Sequence, residues 1–260
     1  MSKSLKVIVI TVLSLAAYFI LDDLYFKSTR SWINELIHQI GISHNIAYAI
    51  FGIPLLIGTL LLHGKRNFFE SLGLNRSVIQ GIAFAIVCTL PMFICFAIIF
   101  KFNREVDLST ILIAVIAAGF FEELYFRGFL FGQLYRYTRL GFLPTIFLGA
   151  LLYALLHVLQ GSEVPEVAIV LFITLFGGLL FGWMYVEWNY NLWIPIFLHM
   201  LINLSWEIFD ITDTAISGLD PIMFRIFTIV LAIILTILYK RRKRIPMQIN
   251  RRTIWMKKSD

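Results

Sequence analysis

Apolar residues run along the chain in eight long blocks, at about residues 5–21, 45–62, 78–100, 108–135, 142–159, 165–186, 192–209 and 221–239, punctuated by charges, Asn, Gly and Pro. Each approaches the roughly 20 residues that an α-helix needs to cross the hydrocarbon core of a bilayer. The blocks are continuously apolar and lack the polar alternation of a strand lining a water-filled barrel, so they are read as helices. The expected fold is therefore all-α, a polytopic bundle of about eight membrane-spanning helices.

Composition sharpens this picture. With 59% hydrophobic residues, 15% charged residues and a mean hydropathy of +0.83, the chain is far more apolar than a soluble domain. Lipid is its expected solvent, and no stretch remains for a separate soluble domain. The net charge of +6 does not imply a nucleic-acid partner, because the basic residues cluster at block ends, above all at Lys240, Arg241, Arg242, Lys243, Arg244, Arg251, Arg252, Lys257 and Lys258. That distribution fits membrane lipids and a cytoplasmic face. The tail after Lys240, with Trp255, reads as a solvated positive-inside stop signal and also suits a segment lying on headgroups.

Lys3 and Lys6 followed by the apolar run Val7 to Leu21 resemble a signal peptide superficially, but Asp22 and Asp23 follow with no small-x-small cleavage pattern. An uncleaved first span is the preferred reading. Eight spans put both termini on one side. With Arg127 set aside, 16 of the 22 Lys and Arg fall on that side and 5 on the other. The expectation is a multi-pass plasma-membrane protein with cytoplasmic termini. Cys88 and Cys95, seven apart on one helix face, read as buried thiols and not as a disulfide.

The fourth block carries the chemistry. Glu122, Glu123 and Arg127 sit in it with apolar residues for several turns on either side. Each ionisable group at such depth costs about 2.5–3.5 kcal/mol on insertion scales, so three together imply pairing or function. Glu123 and Arg127, four apart, share a helix face and can form a charge-assisted pair. Such a pair could also serve only to hold helices together. Glu122 points about 100° away in an α-helix, which leaves it free to face a cavity as a general base.

Two further blocks place polar side chains at helical spacing: Tyr153 with His157, and His199 with Asn203. A lone intramembrane histidine most often only bonds a neighbouring helix, but two beside a carboxylate pair point to catalysis. Asn189-Tyr190-Asn191 and Pro195 put irregular backbone just before His199, which is tolerated at membrane depth only where protein covers it or it lines a cavity. His38, His44 and His63 lie in or beside loops and read as solvated.

These residues resemble the CAAX-protease and bacteriocin-processing membrane peptidases, a family that includes the Ras-converting CAAX endopeptidase. The resemblance spans about residues 109–203. Glu-Glu-x-x-x-Arg is matched by Glu122, Glu123 and Arg127 with Gly128 following. Phe-x-x-x-His is matched at His157 with Tyr153 in place of Phe, and His-x-x-x-Asn by His199 and Asn203. The chain is expected to divide into N-terminal transmembrane helices over 1–107, a catalytic helical core like that family's over 108–209, and a last span with a basic tail over 210–260. The resemblance implies a glutamate-dependent endopeptidase acting on a peptide or lipidated peptide in the membrane. Glu122 with His157 would activate water, His199 and Asn203 would stabilise the oxyanion, and Glu123, Arg127 and Tyr153 would support the site.

No cofactor is expected. The alternative is zinc at Glu122, His157 and His199 with an open position for water, although no His-Glu-x-x-His helix is present and Arg127 adds positive charge there. Two other functions compete: a non-catalytic protein that binds a partner for bacteriocin immunity or envelope regulation, and a proton-coupled transporter, for which no inverted repeat is visible. Depth arithmetic puts Glu122 and His199 about 10 Å from the inner face and His157 about 20 Å from it. The fifth block is therefore expected to begin deeper than Phe142, in a recessed loop or tilted helix, or to have other boundaries.

Overall fold

A computed structural model describes residues 2–157, 164–211 and 220–256, with side chains described outside 150–174 and residue 220. In chain order the helices are α1 (Lys3–Ile37), α2 (Ile40–Phe51), α3 (Ile53–His63), the short α4 (Phe68–Leu72) and α5 (Val78–Ile99). Next, α6 (Leu108–Thr110) passes into a π-helix (Ile111–Phe131) and out to α7 (Gly132–Tyr137). Then follow α8 (Phe142–His157), α9 (Val164–Glu187), α10 (Trp193–Ile208) and α11 (Asp220–Lys243). Among the described residues the only extended pairings are two isolated bridges, Phe102 with Phe209 and Leu140 with Met256.

The protein is an all-α, multi-pass membrane protein. Five described stretches are long and apolar enough to cross a bilayer: Lys3–Ile37, Ile40–His63, Val78–Ile99, Leu108–Tyr137 and Pro221–Lys243. Trp193–Ile208 and the described part Leu175–Glu187 are apolar but shorter. Each of the eight predicted blocks is helical over nearly all its described residues, and five of them reach spanning length on their own.

Helix boundaries differ from the hydropathy pattern where charge and helix termination part company. α1 continues through Asp22 and Asp23 to Ile37, 35 residues in all, or about 50 Å at about 1.5 Å per residue. Aspartates interrupt apolarity without breaking a helix; the helix stops only where His38 turns to φ 55 and its N–H bonds Asn34 O. The second block is divided at Gly52, with Pro54 in the first turn of α3. Phe142 opens a regular helix instead of a recessed loop, so the fifth block starts where hydropathy put it.

Of the histidines outside the motifs, His38 is exposed at the end of α1, whereas His44 and His63 are not merely solvated. His44 lies within α2, edge-on to Phe26 at 5.2 Å between ring centroids. The His63 ring Nε2 lies 2.6 Å from Gln133 Oε1. Cys88 and Cys95 are free thiols on α5, the first of them buried.

The π-helix occupies the centre, packed against α10 on one side and α2 on another, while α10 also packs along α5. Its i→i+5 character is visible at its end, where Gly132 N–H donates to Arg127 O. Such hydrogen bonding is rare, and single π turns recur at functional sites. Gly119 lets α10 approach: a Cβ there would overlap Met200 Cγ and lie 3.1 Å from the Met200 backbone N.

The basic tail is also not free. Lys240 is buried and ion-paired with the buried Glu187 of α9. The chain beyond α11 returns to pack Ile249 against the main apolar core. Charge density alone could not reveal this, because the partner that neutralises Lys240 lies 53 residues earlier.

Candidate active site

The central side chain is Glu123. Its carboxylate is fully buried, and Oε1 lies 3.2 Å from Arg127 Nη1 and 2.9 Å from His199 Nδ1. Arg127 sits one turn along the same helix and is itself buried, whereas His199 reaches across from α10 and keeps 13% of its side chain exposed. The pairing of Glu123 with Arg127 follows from their spacing of four; the arrival of His199 on the same oxygen depends on how α10 packs. In an apolar medium a carboxylate shared between an ion pair with Arg127 and a hydrogen bond with His199 is a stronger arrangement than in water.

Phe181 of α9 closes one wall. Its ring stacks on His199 at 5.4 Å with an interplanar angle of 27°, and Arg127 Cζ stands 5.6 Å from its centroid. A cation over an aromatic face gains electrostatic attraction from the ring quadrupole. Phe181 thus bridges the two groups that hold Glu123. Nothing in the sequence marks it out from the other 23 phenylalanines.

Asn203, one turn after His199 on α10, donates from Nδ2 to Ala114 O of the π-helix at 2.8 Å. A primary amide has two N–H donors, and one of them ties α10 to the π-helix. The start of α10 is fixed in turn by the buried Asn191, whose Nδ2 donates to Ser77 O at 3.0 Å and whose Oδ1 accepts from Trp193 N at 3.1 Å. Asn189 and Tyr190 take the left-handed conformation immediately before it. The predicted irregular backbone ahead of His199 is thus present, with Asn191 and Pro195 buried and Asn189 exposed.

Glu122 takes a different position. It is half-buried and lies within electrostatic reach of the Tyr18 and Tyr48 hydroxyls on α1 and α2. A π-helix has more residues per turn than an α-helix, so the angle between neighbouring side chains falls below about 100°. Glu122 and Glu123 accordingly diverge less than α-helical geometry implies, and it is the Glu123 carboxylate that contacts His199 Nδ1. Tyr125, whose OH donates to Tyr48 O at 2.7 Å, joins the wall on the side of Glu122.

The structure therefore groups Glu123, Arg127, His199 and Asn203 at the junction of the π-helix, α9 and α10, with Glu122 beside them toward α1 and α2. Tyr153 and His157 belong to α8, but their side chains lie outside the described residues. Among the described residues no three His, Cys, Asp or Glu side chains converge as a metal site. Of the zinc alternative, Glu122 and His199 are described and His157 is not. His199 directs Nδ1 to Glu123, which would leave Nε2 as its ligating nitrogen.

Residues 103–205 match the family model of the type II CAAX prenyl endopeptidase Rce1-like proteins. The match covers less than half of the chain and supports a likeness of this segment to that family. The matched segment runs from just before α6 to near the end of α10 and contains every residue of the three motifs. Comparison with curated proteins and with solved structures gave no match. The match supports a CAAX-type membrane endopeptidase in general terms, with a peptide as its class of substrate.

Proposed function

We propose that the protein is a glutamate-dependent intramembrane endopeptidase that hydrolyses a peptide bond of a membrane-associated peptide or lipidated peptide. The observation that supports this reading most is the buried Glu123 carboxylate, whose Oε1 meets both Arg127 and His199. In this scheme Glu122, together with His157, takes a proton from water as the water attacks the scissile carbonyl. The proton then passes to the leaving amine. Negative charge develops on the carbonyl oxygen and is met by donors set in advance, which is where electrostatic catalysis is strongest.

His199 and Asn203 are those donors. An imidazolium donates from both ring nitrogens: Nδ1–H is held by Glu123, and Nε2–H is presented to the oxyanion. The second Nδ2 hydrogen of Asn203 serves likewise. Glu123 and Arg127 orient the imidazole. Glu123 Oε2, buried with no hydrogen-bond partner among the described residues, offers an acceptor for a site water. No metal enters this scheme. The protein is proposed to lie in the plasma membrane with both termini cytoplasmic.

The contact between Glu123 and His199 favours one other assignment, in which His199 oriented by Glu123 is itself the base. The two part on Glu122. Purified Glu122→Gln and His199→Ala proteins in liposomes, assayed against membrane-anchored peptides, are expected to lose cleavage by about 10²-fold or more. Full activity in Glu122→Gln with loss in His199→Ala selects the histidine base. Full activity in both contradicts the peptidase reading and favours partner binding on the same fold.

A further inference from the structure

The carboxy-terminal tail makes backbone contacts that a solvated basic segment would not make. α8 begins after Gly141, a residue with no side chain to cap the exposed N–H groups of a first turn. The tail supplies the missing acceptors. Gly141 N donates to Trp255 O at 2.9 Å, Phe142 N to Thr253 O at 2.8 Å and Leu143 N to Ile254 O at 2.8 Å. Leu140 and Met256 continue the contact as an antiparallel bridge.

The tail is held for this task by a second group that the peptidase scheme leaves unused. Glu187 is buried at the end of α9, accepts from Lys240 Nζ, and receives Gln248 N at 3.0 Å and Ile249 N at 2.9 Å. Between anchor and cap, the tail bonds itself into a turn: Asn250 N donates to Thr253 Oγ1 at 2.9 Å and Arg252 N to Asn250 Oδ1 at 2.9 Å. Gly141 permits the close approach, since a Cβ there would overlap the Trp255 carbonyl carbon and oxygen.

We propose that the tail is a strap that positions α8, the helix carrying His157, with Glu187 and Gly141 as positioning residues that act through it. The catalytic part of this inference rests on the assignment of His157 made above; the mechanical part does not. Removal of the strap leaves the N–H groups of Gly141, Phe142 and Leu143 without these acceptors and lets the amino end of α8 shift. A helix displaced at one end no longer holds a side chain at its other end to the tolerance that catalysis requires.

The test uses the full chain in lipid vesicles. Glu187→Gln and Gly141→Ala are compared with wild type by trypsin cleavage at Arg251 and Arg252, by hydrogen exchange of the amides at 141–149, and by kcat and KM on a cleaved peptide. Expected are at least tenfold faster cleavage, at least tenfold faster exchange, and a fall in kcat of about tenfold with KM unchanged. A Leu140→Cys/Met256→Cys crosslink in the Glu187→Gln background restores all three, because residues paired across a bridge are close enough for a disulfide. Its reduction removes the rescue. Unchanged exchange at α8 once the tail is freed overturns the proposal, as does unchanged kcat in an active enzyme. The exchange readout needs no turnover, so a failure of the peptidase reading, seen as equal products from wild type and Glu122→Gln, is separable from a failure of the strap.

Discussion

His199 Nδ1 and Arg127 Nη1 meet on the same oxygen of Glu123, at 2.9 and 3.2 Å, inside a bundle whose neighbouring surfaces are apolar. That shared oxygen joins the π-helix to α10 and determines which nitrogen of His199 faces the cavity. It also makes the second glutamate of the pair a structural organiser.

The first prediction concerns that organiser. Breaking a buried ion pair by removing one partner costs about 3–5 kcal/mol, because a buried charge is left behind. Glu123→Gln is expected to destabilise the protein by about that amount in a detergent unfolding assay, and Arg127→Met similarly. The double variant is expected to cost clearly less than the two single effects together, since contacting residues are not additive. Strict additivity would mean that the pair carries no coupling.

A second prediction separates orientation from binding. If Nε2–H of His199 and the second amide hydrogen of Asn203 meet the oxyanion, Asn203→Ala should lower kcat by about 10²–10³-fold with a much smaller change in KM. A rise in KM at constant kcat would assign Asn203 to ground-state binding.

Close approach of α10 is the third. Gly119→Ala places a methyl group against Met200, and overpacking of this kind costs about 1–3 kcal/mol. Lower thermal stability and lower turnover are expected together, with partial recovery in Gly119→Ala/Met200→Ala. Stability equal to wild type in the single variant would show that the helices can separate without consequence for His199.

Fourth, saturating chelator is expected to leave peptide cleavage unchanged, because the proposed chemistry uses the chain's own groups. Loss of activity on chelation and its return with added zinc would instead assign Glu122, His157 and His199 as ligands.

How much of this was legible in the sequence depends on the range of each signal. Lipid as solvent and the pairing of Glu123 with Arg127 are local facts, one of composition and one of spacing, and both can be read directly. His199 and Asn203 were found as motif members, but their partners were not: Glu123 lies 76 residues from His199 and Ala114 lies 89 from Asn203. Phe181 carries no signal among so many phenylalanines. The π-helical form was hidden because a uniformly apolar block reports no period.

The same limit explains α1 and the tail. Asp22 and Asp23 ended the apolar run but not the helix, because hydropathy measures solvent preference and not backbone termination. Lys240 was grouped with its basic neighbours by sequence position, whereas burial against Glu187 separates it from them. In both places a one-dimensional charge pattern does not coincide with a three-dimensional boundary.

The claim that Glu122 activates water for peptide cleavage is tested most directly in cells. Membrane peptides should be compared by mass spectrometry between cells carrying wild type and cells carrying Glu122→Gln at equal membrane abundance. The account predicts at least one peptide cleaved in wild type and left intact in the variant, while identical peptide sets would contradict it.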